Sequence, residues 1–329
     1  MTFSSISLPS QRLRSITLLA AFLPALFAAS ELSAQTDASS QLSIQQIHDQ
    51  LSLMHIREQA QASAYELGYR WALLGVEYTD AGDFTNAESA YNRSLQLLES
   101  DADASGRALY AAVLDQFGTL YRIYGRIPEA LNCRRKALAV RRQLGDPLEV
   151  ARSKSHLAEL ALMSRKYKDA LATADQAYES MTQLQDPQKA DLTSTLIIRS
   201  YAECALRKCD RGLEDAQQAL AISREVFKVD SVPLGAALMA VGSAELKSGA
   251  TVGAANSMRQ ALQIFKLKFT AADPRLSYAM QQYRDCLLAQ HQKREAREID
   301  DQLSTLNLQS TSSCPSCTVS VFGLLTPAP

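Results

Sequence analysis

The sequence predicts an all-α protein, a solenoid of about six stacked helix-turn-helix repeats with capping helices. Three observations predict it. The segment WALLGVEYTDAGDFTNAESAYNRSLQLLE places Trp71, Leu74, Gly75 and Tyr78, then Ala87, Tyr91 and Ser94, at helical spacing on either side of a short turn, which is the pattern of two amphipathic helices. A pair of small residues seven apart then recurs as Ala87 and Ser94, Ala130 and Ala137, Ala170 and Ala177, Gly212 and Ala219, Ala254 and Ala261, in steps of 43, 40, 42 and 42, with a weaker sixth copy at Ala296. A fixed period of this size is the mark of a stacked array. Composition agrees, with 47% hydrophobic and 21% charged residues and only 13 glycines and 10 prolines in 329, which is neither disordered nor fibrous.

From the N-terminus, Arg12 and Arg14 precede an apolar run over residues 16–29 that ends in small residues. This reads as a secretory signal over residues 1–34, with cleavage expected after Ala34 and Ala29 as the alternative site. The run contains Pro24 and is shorter than the ~20 residues a spanning helix needs. No stable membrane insertion is expected after cleavage, and the chain is read as exported, periplasmic or secreted. Residues 35–65 form a linker and a capping helix, carried by Leu42, Ile44, Ile47, Leu51, Leu53, Met54 and Ile56. The repeat domain occupies residues 66–306. Residues 307–329, rich in Ser, Thr and Pro, read as a flexible tail.

Small residues within the first helices stand at Gly75, Gly118, Ala158 and Gly242, each twelve before the second-helix residue. Helices that cross at about 8–10 Å need small residues at the contact. In the fourth copy Ala202 lies only ten before Gly212, so the turn LRKCDRG is expected to be compressed there. One hairpin alone has too little core, and stacking against its neighbours supplies the rest.

These residues resemble the tetratricopeptide repeat family, through the W-x-x-L-G-x-x-Y spacing of Trp71, Leu74, Gly75 and Tyr78 and the later Ala87, Tyr91 and Ser94. The period near 42 is similar to the longer, kinesin-light-chain-like subclass, including bacterial exported repeat proteins. The chain departs from the pattern where Lys154 takes the place of Trp71, Arg134 that of Tyr91 and Glu245 that of Tyr78. The resemblance implies a right-handed solenoid whose first helices line a concave groove. Carried over copy by copy, the groove positions are Ala72 and Val76, Asp115 and Thr119, Ser155 and Glu159, Arg199 and Glu203, Met239 and Ser243, with Arg122 one turn further on. The polar members, Asp115, Thr119, Arg122, Ser155, Glu159, Arg199, Glu203 and Ser243, form the expected partner-binding site. They lack the Lys and Asn of the family's carboxylate clamp.

The function expected is a non-catalytic scaffold holding a peptide or a partner helix; the alternative is a spacer of the cell envelope acting through its C-terminal tail. The formal net charge is -1, and loss of residues 1–34 makes it -2, so no global field favours nucleic acid. The four histidines, His48, His55, His156 and His291, lack the companions a zinc site requires. No H-E-x-x-H, G-x-S-x-G or Gly-rich phosphate loop occurs, so neither catalytic residues nor a metal or cofactor are expected. Of six cysteines, Cys133, Cys204 and Cys286 fall in helical patterns and are expected to be buried. Cys209 in a turn, and Cys314 and Cys317 in the tail, are the candidates for redox chemistry. The basic run Arg134, Arg135, Lys136, Arg141 and Arg142, with Arg122 and Arg126 nearby, is expected to form a solvated outer face, the alternative being a basic stripe that meets an acidic partner.

Overall fold

The computed structural model describes residues 49, 52, 62–101, 103–184, 189–269 and 274–313. The expected signal segment, nearly all of the expected capping helix, and the tail from residue 314 with Cys314 and Cys317 lie outside them. Among the described residues the regular structure of the repeat domain is helical and forms six hairpins. These are α1 (Ala64–Asp80) with α2 (Phe84–Leu98), α3 (Ala104–Ile123) with α4 (Ile127–Leu144), and α5 (Pro147–Met163) with α6 (Tyr167–Thr182). They continue with α7 (Lys189–Ala205) and α8 (Cys209–Val226), α9 (Val232–Lys247) and α10 (Thr251–Lys268), and α11 (Pro274–Ala289) and α12 (Lys293–Ser313). The last helix runs beyond residue 307, where the tail was expected to begin. No helix of the described residues is long and apolar enough to cross a membrane.

Local chemistry sets the helix starts. The side chains of Ser63, Asp83, Asp146 and Ser231 each accept a hydrogen bond from a first-turn backbone N–H, satisfying donors that a helix end otherwise leaves bare. Every turn within a hairpin has three residues, and the middle one takes a left-handed conformation: Gly82, Gly125, Arg165, Arg207, Gly249 and His291. The residue after it donates its N–H back to the first helix in all six hairpins. Asp83 N to Tyr78 O, at 2.9 Å, and Lys208 N to Glu203 O, at 2.8 Å, are two examples. This is the Schellman closure, which satisfies helix-end carbonyls.

The fourth turn is therefore not compressed, and the register expected there is corrected by two residues. Ser200, not Ala202, stands where Gly75 and Gly118 stand. Its carbonyl lies 2.8 Å from where a Cβ on Gly212 would sit, much as the Ala254 carbonyl approaches Gly242. The small first-helix residue faces the side chain sixteen further on, so Gly75 meets Tyr91, Gly118 meets Arg134 and Gly242 meets Met258. A Cβ on Gly75 would come within 2.6 Å of the Tyr91 ring, closer than packed atoms tolerate.

The hairpins differ in what fills the space between them. From α7 onward a continuous apolar core runs from Leu196 through Leu238, Met258 and Phe265 to Leu287 and Leu303, with Glu203 and Asp215 buried beside its start. Between α2 and α3 it is aromatic, with Phe84 against Tyr124 at 4.6 Å and Phe117 stacked on Tyr121 at 4.4 Å. Between α3, α4 and α5 it is ionic.

Candidate functional site: the face of the first helices

Successive first helices approach one another directly at α1 and α3, α5 and α7, α7 and α9, and α9 and α11, whereas no two successive second helices come as close among the described residues. An array whose first helices lie nearer together than its second helices curves toward the first, so this is the inner face. Side chains bridge α3 to α5: Arg122 Nη1 lies 3.6 Å from Glu159 Oε1, and the two side chains are 26% and 34% exposed. Arg122 Nε is itself buried and turned away from solvent.

Behind that pair sits a buried ionic cluster. Arg134 and Arg141, aligned on α4, both pair with Asp115 of α3, the first at 2.8 Å. Arg134 also donates to Thr119 Oγ1 at 2.7 Å and contacts His156 Nδ1 at 2.8 Å. Arg141 donates to Ser153 Oγ at 2.7 Å and pairs with Glu149 at 2.9 Å. Asp115 is 2% exposed and Arg134 and Arg141 are 4% and 3%. Burial alone would raise the Asp115 carboxyl, but the two guanidiniums outweigh it and hold it well below the usual carboxylate range. Burial and Arg134 lower the pKa of His156, which favours the neutral ring. Burial pushes Glu159 up, but Arg122 and then Arg134 outweigh it, and its pKa is lowered. The inner face here presents the charges of Arg122 and Glu159 beside that buried cluster.

The structure separates the expected groove residues into three groups. Thr119, Arg122 and Glu159 lie together, partly exposed, on the inner face. Asp115, Ser155 and Ser243 are buried: Asp115 anchors the arginines, and Ser155 shares a 3.0 Å hydrogen bond with Thr195 of α7. Arg199 and Glu203 are misplaced by the two-residue register error, and the groove positions of the fourth copy are Ile197 and Tyr201. Arg199 instead pairs with Asp175 at 2.9 Å and Asp215 at 3.4 Å and lies over the Tyr178 ring at 4.6 Å, while Glu203 hydrogen-bonds Asp215. Burial, with Glu203 and Asp175 nearby and only Arg199 opposing, pushes Asp215 up to about 7.

The basic run on α4 is only half a solvated face, since Arg135, Lys136 and Arg142 are exposed but Arg134 and Arg141 are not. His156 and Arg152 were missed as inner-face residues. Arg152, which pairs with Asp191 of α7 at 2.8 Å, lies one turn before His156 and two before Glu159, a spacing that could have revealed them. Cys133, Cys204 and Cys286 are buried as expected, whereas Cys209 is the first residue of α8 and not part of a turn, its thiol 3.7 Å from the Cys204 carbonyl. Among the described residues no cluster of three His, Cys, Asp or Glu suits a metal.

No family model matches the sequence, and no curated protein matches it. Solved structures do match. NprR in complex with its cognate peptide NprX aligns with a TM-score of 0.63 at 15% identity, over 95% of this chain and 83% of that one. BtubC (BKLC) from P. vanneervenii aligns with a TM-score of 0.54 at 20% identity, over 70% of this chain and 91% of that one. The Signal Transduction ATPase with Numerous Domains protein PH0952 from Pyrococcus horikoshii, which has a tetratricopeptide repeat sensor, gives 0.54 at 13% identity over 84% of this chain and 41% of that one. At such identities the likeness is one of fold.

Proposed function

We propose, for a chain that carries the tetratricopeptide-repeat fold, the role of a non-catalytic scaffold that holds an extended peptide or a partner helix against its first helices. The observation that carries this reading is the Arg122–Glu159 bridge between α3 and α5. Its two charges are partly exposed and 3.6 Å apart. Backbone carbonyls and amides of an extended segment are natural partners for such groups. The complex of NprR with the peptide NprX supports a peptide as the occupant of this fold. The Arg12, Arg14 and apolar 16–29 pattern supports work outside the cytoplasm, in the periplasm or medium.

The test is to pan a random peptide library against the chain from Gln35 onward and against an Arg122→Ala/Glu159→Ala variant. Both changed side chains are partly exposed, so helical circular dichroism should be unaltered. The reading expects a peptide family enriched on the wild type and weakened about tenfold or more on the variant, the scale of 1.4 kcal/mol. Equal enrichment on both proteins, or none on the wild type, would sink it.

A further inference from the structure

On a different surface, at the edge where the hairpins connect, the end of α2 and the helices α3 and α4 border a shallow cleft that is open to solvent. Glu99, Arg107, Tyr110, Lys136, Val140 and Gln143 line it. Its volume, about 270 Å³, is several times the ~30 Å³ share of one water molecule in the liquid. Arg107 is held over the Tyr110 ring at 5.5 Å, which fixes the guanidinium near the cleft. Lys136, Val140 and Gln143 are one stripe of α4, spaced four and three apart. Arg135 and Arg142 flank Ala139, which also lines the cleft, and so stand on the adjoining stripe.

The cations here differ from the arginines that tie the helices together. Arg70, Arg122, Arg126, Arg134, Arg141, Arg152, Arg199 and Arg284 all pair with carboxylates. Arg107, Arg135, Lys136 and Arg142 pair with no carboxylate among the described residues. Arg107 and Lys136 line the cleft with Glu99; with Arg135 and Arg142 beside them, the four cations outnumber Glu99, Asp103 and Asp101, whose carboxyl lies against Gly106, and leave a local positive field on a chain whose net charge is -1. Such a field gathers anionic partners.

We infer that this cleft is a docking site for an acidic segment of a partner protein, taking an Asp or Glu side chain between Arg107 and Lys136. The Tyr110 hydroxyl and the Gln143 carboxamide add neutral donors, and Val140 gives the side-chain stem an apolar wall. Two cations lining a cleft of side-chain size suit a single carboxylate rather than the continuous charge of a phosphate backbone or a bilayer. The inner face is a separate surface, and the inference stands whether or not that face binds peptides.

The experiment uses the chain from Gln35 onward and a fluorescein-labelled oligoglutamate peptide, read by anisotropy. Single-stranded oligo-dT and vesicles containing phosphatidylglycerol run in parallel. Saturable peptide binding is expected, weakening about tenfold or more as salt rises from about 0.05 to about 0.3 M. Arg107→Glu/Lys136→Glu should abolish it, and Arg294→Glu on α12, a control reversal at an exposed site, should leave it unchanged. Tyr110→Ala, which keeps every charge, should weaken it several-fold; if that variant loses helicity, Tyr110→Phe replaces it. The inference is overturned if the peptide does not bind, or if Arg294→Glu weakens it as much as the cleft variant. It also fails if the Tyr110 change has no effect, or if oligo-dT or the vesicles bind at least as tightly.

Discussion

The second and fourth hairpins each bury a carboxylate, and the two titrate in opposite directions. Asp115 on α3 faces two guanidiniums, Arg134 and Arg141. Asp215 on α8 shares the single guanidinium of Arg199 with Asp175 and hydrogen-bonds Glu203. Burial penalises the ionised form in both places. Two cations to one carboxylate overcome that penalty, and one cation among three does not. The second hairpin is therefore held together by ionised groups, whereas the fourth is most stable with a proton on the Asp215–Glu203 pair. The comparison teaches that the repeat tolerates charge in its interior wherever a neighbouring helix supplies the complement.

The largest effect should come from removing the anchor of the second hairpin. Asp115→Ala leaves Arg134 and Arg141 buried without their shared counter-charge and should lower the unfolding free energy by about 3–5 kcal/mol, read by urea denaturation at pH 7. A loss of under about 1 kcal/mol would show the pair to be no better than a surface bridge. The sign in pH follows from the depressed carboxyl. Its stabilisation is complete above the unfolded value of about 3.9 and fades as pH falls from there toward the lower folded value. Wild type should lose stability on acidification by an amount that the variant does not show.

The fourth hairpin should answer in the opposite sense. Asp215 has a raised folded pKa of about 7, so its contribution is complete below about 3.9 and is lost as pH rises to about 7. Asp215→Asn cannot ionise and should gain on wild type over that window, levelling above it at on the order of 4 kcal/mol. Thermal melts at pH 4 and pH 8 check this, and a constant difference between them would break the comparison.

A smaller effect separates the turns of the same two hairpins. The left-handed residue is Gly125 in one and Arg207 in the other, and a side chain there is strained by about 1 kcal/mol. Arg207→Gly should stabilise by about 0.5 kcal/mol once the added freedom of the unfolded chain is subtracted, and Gly125→Arg should destabilise by about 1 kcal/mol. Melting temperatures that move the same way in both variants would contradict the shared turn geometry.

Six hairpins, their period and the small residues at the helix crossings were legible in the sequence because close approach and apolar periodicity act residue by residue. Legibility ended where the pattern allowed two registers. Ala202 and Ser200 are both small, and only the constant three-residue turn with its Schellman hydrogen bond chooses Ser200, which moves Arg199 and Glu203 off the inner face. The basic run on α4 misled for a related reason. Spacing puts Arg134 and Arg141 on one stripe but does not say which way that stripe points, and Asp115, the reason it can point inward, lies on another helix.

The sequence by itself therefore determined the all-α hairpin array, its repeat length and the burial of Cys133, Cys204 and Cys286, since these depend on local periodicity and side-chain size. The tertiary structure alone decided which charges are structural and which face solvent. Coulomb energies depend on distance and burial across helices far apart in the chain. Arg122 with Glu159, Arg134 with Asp115 and Arg199 with Asp215 are brought together only when the hairpins stack.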